Sequence, residues 1–194
     1  MGGLFPIDLN SSGDIEAAID ADDSTALGVG DPVVLDTTTG MVQVNTGMPY
    51  RTALNAATAG DTNAIFGVIT AINSNSIEGS GHSLTNTYRP ASTACYVSIR
   101  RAKAGERFRT TPTAAMSATD IGSVANLNAV GANTSTGISN AKLDQSSLAT
   151  SGNTTYQLKV VGFVDDVTKT LGTDIIDPIV EINNIQADAG SAGE

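Results

Sequence analysis

The side chains that could carry chemistry in this sequence are few and stand apart. His82 is its only imidazole and Cys95 its only thiol. Zinc takes three or four Cys, His or carboxylate ligands, so this pair falls short of a zinc site. A nucleophile needs a base within hydrogen-bond reach. His82 lies in Gly79-Ser80-Gly81-His82-Ser83, which has neither the G-x-S-x-G order nor a strand before it, and reads as a loop. Asp20, Asp22 and Asp23 place carboxylates close together, but the glycine and distal Glu of an EF-hand are missing, so they read as an exposed acidic turn. Asp165-Asp166 follows a strand end and could meet a cation at an interface. A carboxylate pair for glycoside hydrolysis is set in space and leaves no sequence spacing. With no Trp and four Tyr, however, few aromatic platforms exist for a sugar. Phosphate-binding and dinucleotide fingerprints do not occur. The expectation is no catalytic residue, no cofactor and no metal.

The remaining polar group of interest is cationic. Five of the ten basic residues fall between Arg100 and Arg109: Arg100, Arg101, Lys103, Arg107 and Arg109. In a strand, Arg107 and Arg109 project to one face and Phe108 to the other, while Arg100 and Arg101 point oppositely. They read as solvated strand edges, or as an interface patch that pairs with carboxylates of another subunit. The chain as a whole is acidic, with a net charge of -10, and eight acids but no Lys or Arg precede Tyr50. Such a chain repels nucleic acid unless its cations are strongly segregated, and Phe108 and Tyr96 are thin aromatic interleaving for single strands. No direct nucleic-acid contact is expected.

The elements that must hold these residues are strands. Aromatics are 4% of the sequence and mean hydropathy is +0.01, so Val, Ile, Leu and Ala must build the core. Length allows one sizeable core. Alternation near period two marks strands at 15–20, 33–35, 41–44, 64–72, 94–100, 107–110, 120–127, 156–165 and 179–183. Val33-Val34-Leu35 and Met41-Val42-Gln43-Val44, joined by Thr37-Thr38-Thr39-Gly40, predict a β-hairpin. Ala53–Ala57 suggests helical turns, as does the stretch from Pro112 to Thr119. Residues 73–93 form a long polar loop, and loops of that length usually have a task. Residues 128–151 are rich in Gly, Asn, Ser and Thr, with Ile138 and Leu143 as isolated anchors. Cys95 falls in an alternating stretch and reads as a small buried side chain. Glycines beside apolar residues at Gly30, Gly67, Gly105 and Gly162 suggest bends where a side chain would clash. The expected fold is all-β, a compact β-barrel or β-sandwich of eight to ten short strands with long loops. The expected division is an arm over 1–14, one domain over 15–185 and an acidic tail over 186–194.

The arm holds Leu4, Phe5, Ile7 and Leu9, enough apolar area to tuck onto its own core or to lie on a partner. No apolar run reaches the length of a membrane helix and no secretory leader is visible. The expectation is synthesis in the cytoplasm and no membrane contact.

Several short pieces, in order, resemble the capsid decoration or cement proteins of tailed phages. They are Gly30-Asp31-Pro32-Val33-Val34-Leu35, Phe66-Gly67-Val68, Gly105-Glu106-Arg107-Phe108, Asp120-Ile121-Gly122 with Asn126-Leu127, Gly137-Ile138-Ser139 with Leu143-Asp144, Leu158-Lys159-Val160-Val161-Gly162-Phe163, and Val180-Glu181-Ile182-Asn183. Order and spacing across residues 28–184 carry the similarity. The resemblance implies a β-rich accessory subunit without catalysis. It would sit on the outer surface of the virion head, bound to the major capsid protein, as a homo-oligomer with a trimer favoured, made in the host cytoplasm. The expected interface residues are Leu4, Phe5, Ile7 and Leu9 of the arm, with Arg100, Arg101, Arg107 and Arg109. Three other readings remain: another phage structural subunit such as a head–tail connector, tail or fibre-associated protein; a carbohydrate-binding β-sandwich; and a hydrolase built on a carboxylate pair.

Overall fold

The computed structural model describes residues 2–7, 13–44, 48–60, 63–73, 76–77, 87–150 and 152–186. Thirteen strands occur in this order: β1 (Phe5–Pro6), β2 (Ile15–Ile19), β3 (Pro32–Leu35), β4 (Met41–Val42), β5 (Arg51–Ala56), β6 (Gly67–Ile72), β7 (Cys95–Arg101), β8 (Arg107–Arg109), β9 (Val124–Ala125), β10 (Ala132–Asn133), β11 (Ile138–Ser139), β12 (Leu158–Phe163) and β13 (Pro178–Ile182). The fold is all-β, as the period-two pattern requires. The count exceeds ten because several strands are two residues long and carry no alternation to detect.

Five strands close into a barrel in the order β2-β7-β6-β3-β5, with β5 returning to β2, and β4 pairs with β5 beyond the end of β3. The closing seam is parallel and short, Ala18 opposite Ala53 and Ile19 opposite Leu54. Alternate side chains fill the barrel: Ala17 and Ile19 of β2, Val33 of β3, Leu54 of β5, Ile69 of β6, and Cys95, Val97 and Ile99 of β7 form one buried cluster. A narrow barrel has room only for side chains that fill it closely, and Ala17 is the small one among them. Their outward neighbours Ala18, Ala53 and Tyr96 make a second cluster, covered by Val42 and Val44.

A second sheet, β1-β8-β13-β12-β9, packs on another flank of the barrel. Their shared core joins Val68 and Ala102 of the barrel side to Phe108, Leu158, Val160, Val180 and Ile182 of the sheet, with Leu4, Leu127 and Leu143 filling between. Architecture of both kinds is present: a closed barrel, and a sheet laid against its outside.

Two expectations of pairing fail. The turn after β3 forms, and the Asp36 carboxylate accepts hydrogen bonds from the Thr38 and Thr39 N–H groups at 2.7 and 3.1 Å. Yet β3 and β4 do not pair with each other; both pair with β5, one after the other along the same edge, Leu35 opposite Leu54 and Met41 opposite Thr52. The Asp36 N–H and the Gly40 carbonyl both bond Ala53, at 3.0 and 2.9 Å, so the turn loops out of one ladder and does not fold β4 back on β3. β5 is Arg51–Ala56, overlapping the helical turns expected over 53–57; tertiary packing of Ala53 and Leu54 overrides the helix preference of its alanines. A short 3-10 turn does occur at Ala118–Asp120.

The glycine expectation divides. A Cβ on Gly67 would lie 2.7 Å from the Arg100 carbonyl oxygen, so β6 and β7 approach there only because the side chain is absent. A Cβ on Gly30, whose φ is +91°, would lie 3.0 Å from Gly3 Cα and 3.2 Å from Leu4 N. Gly105 and Gly162 face open space; Gly105 is needed for its φ of +81° and not for a close approach, and Gly162 for neither.

Buried polar groups pin the loops. Arg89 is wholly buried and donates to the carbonyls of Thr93 at 2.6 Å, Thr25 at 2.6 Å, Asp20 at 2.5 Å and Asp23 at 2.8 Å. The Asp23 carboxylate lies 3.8 Å from Arg89 and accepts from the N–H groups of Thr25 and of Ala56 on β5. The expected exposed acidic turn is in this respect a buried clamp, with Asp23 8% exposed. Gln157 is also wholly buried; its Oε1 accepts from Gly60 and Leu127 at 3.0 and 3.2 Å, and its amide donates to Thr58 and Asn63 at 2.8 and 3.1 Å.

Replacing Arg89 by Met strands four carbonyls and a buried carboxylate, and should lower the urea unfolding free energy by at least ~3 kcal/mol. Gln157→Leu, similar in volume, should cost roughly 2–4 kcal/mol by leaving four backbone groups unpaired. A loss below about 0.5 kcal/mol in either variant would contradict the role given to it.

Candidate interaction surface

The four arginines expected at an interface divide between the interior and the surface. Arg100 is 8% exposed. Its Nε donates to Asp14 Oδ1 at 2.6 Å and its Nη1 to Glu106 Oε1 at 3.0 Å, fastening the start of β2 to the β7–β8 turn. Burial pushes the Asp14 carboxyl up, but the Thr70 hydroxyl and the Arg100 guanidinium outweigh it and hold Asp14 below its ordinary value. Arg101 lies over the Phe66 ring, 5.0 Å from its centroid. Both side chains are engaged within the chain.

Arg107 and Arg109 do project to one face, with Phe108 in the core beneath them. Their side chains are 56% and 55% exposed. Register sets what lies beside them. Arg107 is opposite Glu181, and Glu181 is opposite Lys159, so charges alternate across β8, β13 and β12. The Arg107–Glu181 approach is 3.9 Å, while Arg109 meets Asp177 closely through Nε and Nη2, both at 2.7 Å. Thr111 donates to the other Asp177 oxygen at 3.0 Å. Exposed pairs of this kind add about 0–1 kcal/mol to stability. On an acidic chain, this face carries three cations, Arg107, Arg109 and Lys159, against two carboxylates, Glu181 and Asp177.

At the rim of the face a cavity of about 190 Å³ is lined by Gly3, Phe5, Arg109, Thr110, Thr111 and Asp177. Thr110 is 1% exposed, and its Oγ1 has no hydrogen-bond partner among the described residues. The cavity therefore combines an apolar wall, one buried hydroxyl and a guanidinium–carboxylate rim.

The arm contributes to this rim from inside the fold. Leu4 is wholly buried in the shared core, and its N–H donates to the Gly30 carbonyl at 2.9 Å. β1 pairs antiparallel with β8, Phe5 opposite Arg109 and Pro6 opposite Phe108. Leu4 has no surface left for a partner, Phe5 is half-buried, and Ile7 is 39% exposed. Leu9 lies outside the described residues, as do His82 and residues 187–194 of the expected tail. Gln186 is tied to the barrel, donating its N–H to Ile65 and accepting from Leu35.

Other candidate groups are spent internally. Asp31 is wholly buried; Oδ2 accepts from Gly28 at 2.8 Å, and Oδ1 from Gly131 and Ser139 at 2.8 and 2.5 Å. Burial pushes its carboxyl above the ordinary value despite these donors. Cys95 is wholly buried and burial pushes its thiol up to about 12, which leaves no thiolate near neutral pH. Among the described residues no three His, Cys, Asp or Glu side chains come together as metal ligands.

The sequence reading missed two things. Arg89 stands alone in a polar loop, and nothing local distinguishes it from a solvated arginine. In the segment between β12 and β13 only Asp165-Asp166 drew attention, although Val167, Leu171 and Ile175 recur there every four residues in an otherwise polar stretch. No protein-family model matches the sequence, and no curated protein matches it either.

Two measurements follow. Leu4→Ala should cost about 3 kcal/mol in unfolding free energy, the loss expected for a buried leucine, whereas Ile7→Ala should cost under about 0.5 kcal/mol. The Asp14 carboxyl is lowered by folding, so its contribution is present above the ordinary carboxylate value and is lost as pH falls through the folded value. The stability gap between the wild type and Asp14→Asn, about 1 kcal/mol or less near pH 7, should therefore close below about pH 4. A gap that widens on acidification would contradict the Asp14–Arg100 assignment.

Proposed function

We propose that this chain is a non-catalytic structural subunit of a phage particle, a decoration protein that binds the outer surface of the head and reinforces the shell. The observation that carries the reading is how the polar residues are used. Arg89, Asp23, Asp31 and Gln157 are buried and spend their hydrogen bonds on the backbone of the chain's own loops. Such pinning suits a static subunit whose loops must keep their shape under load. An acidic chain is placed more readily outside a DNA-filled shell than against the DNA. The ordered resemblance across residues 28–184 points the same way.

In this reading the partner is the major capsid protein, and copies of the chain gather on the shell, with a trimer favoured. The working surface is the outward face of the second sheet around Arg107, Arg109 and the Phe5 rim. Apolar burial, at roughly 25 cal/mol per Å², supplies the hold. The charges set orientation and encounter rate.

Counting copies per purified particle tests the proposal. A decoration protein should be present in numbers that scale with the capsomers, and shells lacking it should burst more readily on osmotic shock. A handful of copies confined to one vertex would favour a head–tail connector or tail component instead. Absence from particles would end the proposal.

A further inference from the structure

The segment between β12 and β13, residues 164–177, presents apolar side chains outward from an ordered base. Val167 is 94% exposed, Ile175 47% and Leu171 37%. The base is fixed at several points. The Val164 N–H donates to the Asp177 carbonyl at 3.0 Å, and the Gly172 N–H reaches the Met116 carbonyl at 2.8 Å. Thr170 N–H donates to Asp174 at 2.8 Å, Thr168 N–H to Asp166 at 3.0 Å, and Lys169 Nζ to the Ile175 carbonyl at 3.0 Å. Ile176 anchors it from below at 5% exposure. A loop held in one shape with valine, leucine and isoleucine facing water is built to be covered, since single exposed apolar residues are common but a fixed group of them marks a contact.

The charge of the loop decides what covers it. Asp177 at its end is paired with Arg109, and within the loop Asp165, Asp166 and Asp174 stand against one cation, Lys169, which pairs with Asp166 at 3.6 Å. A second copy of this chain would bring the same anionic loop on a molecule of net charge -10, and loop-on-loop contact would oppose like charges. Beneath the loop lies an open depression of about 450 Å³. Phe163, Leu171 and Ile176 provide its apolar wall, and Asp165, Asp166 and Lys169 stand at it, Lys169 turned to Asp166. An apolar wall ending in the remaining carboxylate, Asp165, fits the stem and head of a Lys or Arg side chain.

We propose that residues 165–176 dock into a different protein, at an apolar socket bordered by Lys or Arg, with one such side chain entering the depression beside Asp165. The inference rests on the decoration reading for the identity of that protein, the major capsid protein. It adds the loop that makes the attachment and the chemistry of the surface receiving it.

The test titrates the full-length chain onto expanded shells of the parent particle prepared without it. The variants are Val167→Ser, Val167→Ser with Leu171→Ser, and Asp165→Lys. Val167 and Asp165 face solvent, so these single variants should melt with the wild type, and Val167→Ser keeps the test valid if the double variant is unstable. The double variant should weaken binding about tenfold or more, and Val167→Ser alone several-fold. Asp165→Lys should weaken binding strongly at about 0.05 M salt and much less at about 0.5 M. Wild type and all variants binding alike would overturn the loop assignment and leave the decoration reading standing. Failure of the wild type to bind would overturn both. Self-association of the free chain that Val167→Ser abolishes would assign the loop to a second copy and overturn the choice of partner.

Discussion

Closure of the barrel at the β2–β5 seam is the constraint on which the rest of the molecule depends. The seam is two residue pairs long, Ala18 with Ala53 and Ile19 with Leu54, and it is the one parallel contact in the barrel. Parallel pairing adds slightly less per residue than antiparallel pairing, so so short a seam needs support beyond its own ladder. That support comes from the turn leaving β2. The Asp20 N–H continues to the Leu54 carbonyl at 3.4 Å, and the Asp23 carboxylate accepts the Ala56 N–H on β5. Arg89 holds this turn in shape through the carbonyls of Asp20, Asp23 and Thr25. A buried guanidinium costs several kcal/mol to desolvate. Here three of the four carbonyls it meets belong to the segment that closes the barrel, and the fourth, Thr93, ties down the loop from which Arg89 is drawn.

Once closed, the barrel serves as a wall for a second core. Val68 and Ala102 turn outward from the barrel side and meet Phe108, Val160 and Val180 of the second sheet. Gln157 and Asp31 bond loops of one part to the other, Gln157 through Gly60 and Leu127, and Asp31 through Gly28 and Gly131. The second sheet is therefore held from behind, and its outward face and the β12–β13 loop are free to be shaped by what they present. That division of labour, one face for packing and one for display, is what period-two alternation makes available to an antiparallel sheet.

Much of the strand content was legible because alternation survives without neighbours. β2, β6, β7, β12 and β13 fall where Val, Ile and Ala recur every second residue, and Phe108 between Arg107 and Arg109 reads correctly as one face in and one face out. Cys95 reads as buried for the same reason. The pairing of β3 and β4 did not follow from their turn, because the turn loops out of a single ladder in which both strands pair with β5. The role of the arginines was half legible. Arg107 and Arg109 follow from alternation. Arg100 is drawn inside by Asp14 and Glu106, one of them 86 residues away at the start of the neighbouring strand, and no local pattern encodes that.

The arm shows the same boundary most sharply. Its apolar residues are plain in the sequence, but whether Leu4 serves the chain's own core or another surface depends on the space left beside Gly30 and Phe108. Sequence alone determined that this chain is all-β, aromatic-poor and acidic, because composition and period are properties of residues taken in order. Only the tertiary structure decided which strands meet, which arginines face water, that Arg89 seals the barrel, and that Val167 stands exposed on a braced loop. Those outcomes depend on distances between residues far apart in the chain, and a linear pattern carries no record of them.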